Sequence, residues 1–159
     1  MVHLVRGLVA GAAGTTALNA VTYLDMVLRA RPASTTPDET VRRTEELIGT
    51  SMPDGGTSGG ADNRRSGVGA LLGIATGLGS GLVHAVLRER FPGIPLPALA
   101  LATAAVANAG SVAPMTALGV TDPRTWSASS WLSDLVPHLA FGVATAASYE
   151  LCSRGRRHC

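Results

Sequence analysis

Residues 66–87 read SGVGALLGIATGLGSGLVHAVL, a run without formal charge in which glycine falls on every fourth position: Gly69, Gly73, Gly77 and Gly81, with Ala85 continuing the row. At 3.6 residues per turn this spacing keeps the glycines along one helix face. That face is a groove without side chains, bordered by Leu71, Leu72, Ile74, Leu78, Leu82 and Val83. In water each interior glycine costs up to about 1 kcal/mol relative to alanine, so a soluble helix of this make-up is poor. In a bilayer the backbone hydrogen bonds must stay closed, and ridges of small residues let two helices make extensive van der Waals contact. The run is expected to be a transmembrane helix packed on a neighbour.

Composition points the same way. Only 4% of the 159 residues are aromatic and 15% are charged, while 46% are hydrophobic, most of them alanine, leucine and valine. Small side chains bury little area from water but permit close packing in lipid. A net charge of +2 is too small to argue for a nucleic-acid partner. The two cysteines, Cys152 and Cys159, either close a small loop in the tail or remain free thiols, and no metal framework can be built from them.

Taken in order, the chain predicts four spans, at about 4–28, 67–88, 98–120 and 130–152. Eighteen uncharged residues separate Arg6 from Asp25, enough for a helix to cross roughly 30 Å of hydrocarbon. A cleaved signal peptide is the competing reading of this start. Against it, the segment is rich in glycine and alanine and stays apolar past Asn19 to Leu28. Next, Thr36-Pro37-Asp38-Glu39 reads as a capping box, with Gly49 as the stop. Residues 37–48 should form a short amphipathic helix lying on the membrane or over the bundle, with a partner-docking helix as the alternative. Its expected ion pairs are Glu39 with Arg43 and Arg42 with Glu46, and its apolar stripe is Val41, Thr44, Leu47 and Ile48. Residues 50–66 read as a flexible linker.

Thirty-one uncharged residues lie between Arg90 and Asp122, with Pro97 suited to a first helical position. In this third span Ala105, Ala109, Ala113 and Ala117 form an alanine ridge, the expected partner of the glycine groove because a short turn makes the two helices antiparallel neighbours. Pro114 should kink it. Trp126 and Trp131 mark an interfacial segment before the fourth span, which carries Pro137. The basic tail SRGRRHC is expected to meet anionic headgroups if cytoplasmic. Six arginines on one side against seven on the other leave orientation balanced under the positive-inside rule; the clustered tail arginines favour both termini inside.

Ionisable groups inside a membrane are functional hypotheses by default. Up-and-down threading puts Asp25 on the same membrane face as Asp134 and His138, with Asn19 about two turns deeper and Asn108 near the middle of the third span. A carboxylate, an imidazole and amides converging there would relay protons or hold a small cation. The alternative is that Asp25 and Asp134 are hydrated at the interface and His138 satisfies a carbonyl freed by Pro137. On the opposite face Arg6, Arg88 and Glu150 are expected to form headgroup-level ion pairs, with His84 about one turn deeper. No metalloprotease, phosphate-loop, nucleophile-elbow or CxxC pattern occurs. The chain is therefore expected to be non-enzymatic, with no cofactor and no metal.

The segment GLVAGAAGTTALNAVTYLDMVLRARPASTTP, the four-span layout and HLAFG in the last span resemble a group of small uncharacterised membrane proteins of actinobacteria. More distantly, the chain is similar to a bacterial inner-membrane family of unknown function with a histidine followed by Phe-Gly in a late helix. The resemblance implies topology and carries over no catalytic residue. The expectation is an all-α, four-helix transmembrane bundle with glycine and alanine interfaces, multi-pass in a bacterial plasma membrane. Its partners would be the lipid bilayer and either a second copy or a larger membrane complex, and no nucleic acid. The leading role is that of a structural or accessory component, and the alternative is a small transporter or proton-coupled component.

Overall fold

The computed structural model describes residues 1–154, and its regular structure is all helical. Helix α1 spans Val2–Arg29, α2 Thr36–Ile48, α3 Gly60–Arg90, α4 Leu96–Ala117 and α5 Ala128–Arg154, with a 3-10 turn at Pro123–Thr125. The basic tail beyond Arg154, including Cys159, lies outside the described residues; Cys152 is exposed on α5.

Four long helices form a ring in the order α1, α3, α4, α5, with α5 closing back on α1 and α3 meeting α5 sparingly on the diagonal. Every neighbouring pair runs antiparallel. Arg6 at the start of α1 reaches Ser153 at the end of α5, while Asp25 near the end of α1 meets Ser133 near the start of α5. His84 of α3 is bonded to Thr103 of α4, and Asn108 of α4 to Asp134 of α5.

Three helices, α1, α3 and α4, are long and apolar enough to cross a membrane. The fourth expected span, α5, is not among them. Its inward face carries Asp134, His138, Thr145 and Tyr149, which lower its average hydropathy, although its outer face is apolar, with Leu132, Leu135, Val136, Leu139 and Val143 all exposed.

The interior is built of small residues. Ala10, Ala85, Ala100, Ala104, Ala107 and Ala146 are buried, and the only large apolar side chains below 2% exposure among the described residues are Phe141 and Leu99. Close backbone approach takes the place of large side chains. A Cβ at Gly7 would stand 2.8 Å from the Gly81 carbonyl oxygen, and one at Gly11 would stand 2.7 Å from that of Gly77. Thus two glycines of α1 meet two of α3 face to face.

This pairing corrects the expected one. Ala105, Ala109, Ala113 and Ala117 are all exposed on the outside of α4 and do not fill the glycine groove. Within the row itself, Gly69 meets Pro37 of α2, and a Cβ at Gly73 would meet nothing within 4 Å. The closest approach of α4 is to α5, where a Cβ at Gly142 would stand 2.8 Å from that of Ala104. The physical reason is that α1 brings a second bare face to α3, and two faces without side chains come closer than one of them and a row of methyl groups.

Helix α2 ends as the sequence predicts, with Gly49 at φ 69° returning its N–H to the last turn. Its beginning differs: Thr35 is the cap, Ser34 accepts from the Thr36 N–H, and Glu39 turns to Arg42 instead of closing a capping box. That guanidinium holds the Glu39 carboxyl below its usual range. Arg42 and Arg43 both reach Glu46. Of the predicted stripe only Val41 is buried, while Thr44, Leu47 and Ile48 are exposed. Beside Val41 the buried residue is Glu45, which takes two bonds from Arg65 at 2.9–3.0 Å. This pair explains why α3 begins at Gly60, inside the expected linker: Arg65 also reaches Asp62 at 2.7 Å, and Ser66 donates to Asp38 at 2.6 Å. The first turns of α3 are thereby tied to α2.

Candidate functional site

The five polar residues singled out from the sequence separate into three places. Asn108, Asp134 and His138 come together where α4 faces α5. Asp134 and His138 follow one another a turn apart on α5, and Asn108 of α4 donates its amide to the Asp134 carboxylate. The His138 side chain is 13% exposed and that of Asp134 19%, so the cluster is largely withdrawn from the surface.

The geometry sets the roles of the two imidazole nitrogens. Nδ1 lies 2.7 Å from the main-chain oxygen of Asp134, an acceptor, so Nδ1 carries the proton. Its 3.4 Å approach to the Asn108 amide is then a contact between two donors. Nε2 lies 3.4 Å from the Ser111 hydroxyl, whose own proton goes to the Asn108 carbonyl at 2.9 Å, so that toward the ring it is an acceptor. Both ring nitrogens thus face oxygen acceptors, with the Asp134 carboxylate 3.7 Å from Nδ1. The carbonyl left without its helical partner by Pro137 is that of Ser133, one residue before the one His138 reaches.

Ser111 was not anticipated. It stands three residues after Asn108, on the same face of α4, and a serine among alanines gave no sign of its partner until α5 was in place.

Asp25 does not join this group. It is held by Arg29 at 2.8 Å and by Arg31, and it accepts from Ser133 at 3.2 Å. Arg29 also donates to Ser129 at 2.8 Å. Ala30 adopts a left-handed backbone, φ 49°, which ends α1 and folds Arg31 back on the carboxylate. Asp25 therefore belongs to an ion-pair cluster pinning the end of α1 to the start of α5. Asn19 lies on the exposed side of α1 and does not converge on the others. The reason is rotational: depth along a helix follows from residue number, but which way a side chain points follows from the neighbours chosen.

The opposite end of the bundle carries the second set. Arg88 pairs with Glu150 at 2.7 Å, and also donates to the carbonyls of Pro92 and Ile94, stitching the turn into α4. Arg6 reaches Ser153 instead of joining the pair. One turn deeper His84 is fully buried; its Nδ1 is 2.7 Å from Thr103 Oγ1, and its ring meets that of Tyr149 edge-on with centroids 5.2 Å apart. Trp126 and Trp131 also pack edge-on, and Trp126 donates to Thr121 at 2.7 Å.

Among the described residues, no group of three or more histidine, cysteine, aspartate or glutamate side chains is gathered to hold a metal ion. No protein-family profile, curated protein or solved structure matches the chain.

Proposed function

We propose that this protein is a non-enzymatic, multi-pass component of a bacterial plasma membrane that associates, with itself or within a larger complex, through the outer face of α4. In this reading α5 is a fourth span, because it packs along α1 and α4, turns its polar groups inward and presents leucine and valine outward. The resemblance of the first helix to small actinobacterial membrane proteins is in keeping with that topology. The observation that carries the proposal is a row of small residues on the outside of α4: Ala98, Ala102, Ala105 and Ala109 are all exposed over several turns of the helix. Small faces of this kind let a second helix approach to backbone distance.

The expected result is that a cysteine at position 109, in a Cys152→Ser/Cys159→Ser background, cross-links in native membranes to a discrete product. Ala109→Trp should abolish that association while leaving the chain's own melting behaviour intact. A parent chain that migrates as a single copy in mild detergent and gives no cross-linked product would end this reading.

The Asn108–Asp134–His138–Ser111 cluster favours a second reading, a small proton-coupled transporter or accessory. Asp134→Asn keeps the shape of the side chain but removes the charge that balances a protonated His138. In proteoliposomes carrying an internal pH dye, it should lower proton flux at least tenfold, and a parent protein without flux would dispose of the idea.

A further inference from the structure

We propose that Arg29 and Arg31, together with the first turn of α5, bind the phosphodiester of an anionic phospholipid at one end of the bundle. The inference rests on the membrane-spanning part of the reading above, and on neither the α4 contact nor the proton-coupled cluster.

The argument begins with a charge imbalance. Two guanidinium groups, Arg29 at 2.8 Å and Arg31 beside it, converge on the single carboxylate of Asp25. Among the described residues no second acid pairs with either, so the cluster keeps one positive charge in excess. Arg29 alone would serve Asp25, and from the last turn of α1 it also faces the carbonyl end of that helix. Arg31 lies beyond the helix and is carried back by the left-handed turn at Ala30.

Unused donors point the same way. Arg31 gives Nε to Asp25 and Nη1 to the Pro32 carbonyl at 3.2 Å, and both N–H groups of its Nη2 meet no acceptor among the described residues. Its side chain is 22% exposed and that of Arg29 36%, so both guanidiniums can be reached from outside. Ser129 accepts from Arg29 at 2.8 Å and passes its own hydroxyl proton to no acceptor among the described residues. It stands in the first turn of α5, where main-chain N–H groups lack helical acceptors; Ser127 serves only those of Ser130 and Trp131. Guanidinium forks, a hydroxyl and the positive end of a long helix are a donor set suited to phosphate.

The surroundings favour a lipid over a soluble anion. Trp131, two residues after Ser129, is 38% exposed and packs edge-on with Trp126, as aromatic side chains do at headgroup level. Toward the middle of the same two helices, Leu24, Val27 and Leu28 of α1 and Leu132 and Val136 of α5 are exposed, an apolar surface for acyl chains. The excess positive charge matches the single negative charge of a phosphatidylglycerol headgroup. A zwitterionic lipid would bring its own ammonium up to two guanidiniums, which like-charge repulsion disfavours.

The test titrates the full chain in neutral detergent with phosphatidylglycerol, phosphatidylcholine or inorganic phosphate, and counts bound molecules by native mass spectrometry. The parent should retain phosphatidylglycerol in preference to phosphatidylcholine. Arg31→Gln should weaken that binding by at least about fivefold, whereas Arg124→Gln, which removes the same charge from an exposed site outside the cluster, should leave it within about twofold. Equal retention of the two lipids, or equal loss in the two variants, overturns the site. Inorganic phosphate bound as tightly as phosphatidylglycerol overturns the lipid as its occupant. A chain that needs detergent yet shows no lipid preference fails here alone, while one that stays folded in plain buffer removes the membrane reading as well. Should Arg31→Gln fail to fold, the parent in phosphatidylglycerol bilayers decides: the resolved Arg31 Nη signals should show dipolar coupling to lipid phosphorus, and their lack of it overturns the proposal.

Discussion

A Gly81→Leu chain will fail to seat α1 against α3. A Cβ alone at this position would stand 2.6 Å from the Gly11 Cα and 2.7 Å from the Gly11 nitrogen, and both are backbone atoms that cannot rotate aside. Overpacking a core by flexible side chains costs about 1–3 kcal/mol, and a clash with backbone belongs at the top of that range or above it. For a chain of this size a loss of about 3 kcal/mol lowers the melting temperature by roughly 6–12 °C. The control is Gly73→Leu, in the same glycine row, where a Cβ would meet nothing within 4 Å. Melting in detergent should therefore separate the two variants, with Gly81→Leu strongly destabilised and Gly73→Leu close to the parent. Equal melting of all three proteins would show that α1 and α3 do not meet through these glycines.

Phe141→Ala has the other large expected effect. Phe141 is 1% exposed at the centre of the ring; a Cβ at Gly14 of α1 would stand 2.8 Å from its ring, and one at Gly77 of α3 would stand 3.5 Å from it. It is the largest fully buried side chain among the described residues, in an interior whose other apolar residues are mostly alanine. Truncating a buried phenylalanine costs about 3–5 kcal/mol in soluble proteins. In lipid the transfer part of that cost shrinks, because the surrounding tails are as apolar as the core, but the lost contacts of three helices are not replaced. The expected loss is therefore near the lower end, about 3 kcal/mol, and should appear as a clear drop in melting temperature. Phe141→Leu, which refills most of the space, should recover the greater part of it. A truncated chain that melts with the parent would mean that the centre of the bundle is not packed as described.

The two variants probe different elements of one design. Gly81 tests how closely backbones approach on one side of the ring; Phe141 tests the largest side chain packed inside it. Neither residue belongs to the Asn108–Asp134–His138–Ser111 cluster, but Phe141 follows His138 by about one turn of α5, so Gly81→Leu is the variant whose melting is read independently of that cluster.

Much was legible from the sequence because it is local. Uncharged runs between arginines and acids marked the long helices, Gly49 marked the end of α2, and Asp134 with His138 four residues later lay on one helix face whatever the neighbours. Those features depend on spacing along one chain segment and on the 3.6-residue turn. Tertiary structure decided which faces met. The alanine ridge of α4 was the partner expected for the glycine row because the two helices follow one another; the glycines of α1 took that place because Gly7 and Gly11 permit backbone contact with Gly77 and Gly81, which adjacency along the chain does not reveal. The same choice set the rotation of every helix, sending Asn19 outward, leaving Asp25 to Arg29 and Arg31, and turning Ser111 toward His138. Helix identity is a property of neighbouring residues, whereas helix rotation is a property of the whole ring, fixed only when all of its contacts are made together.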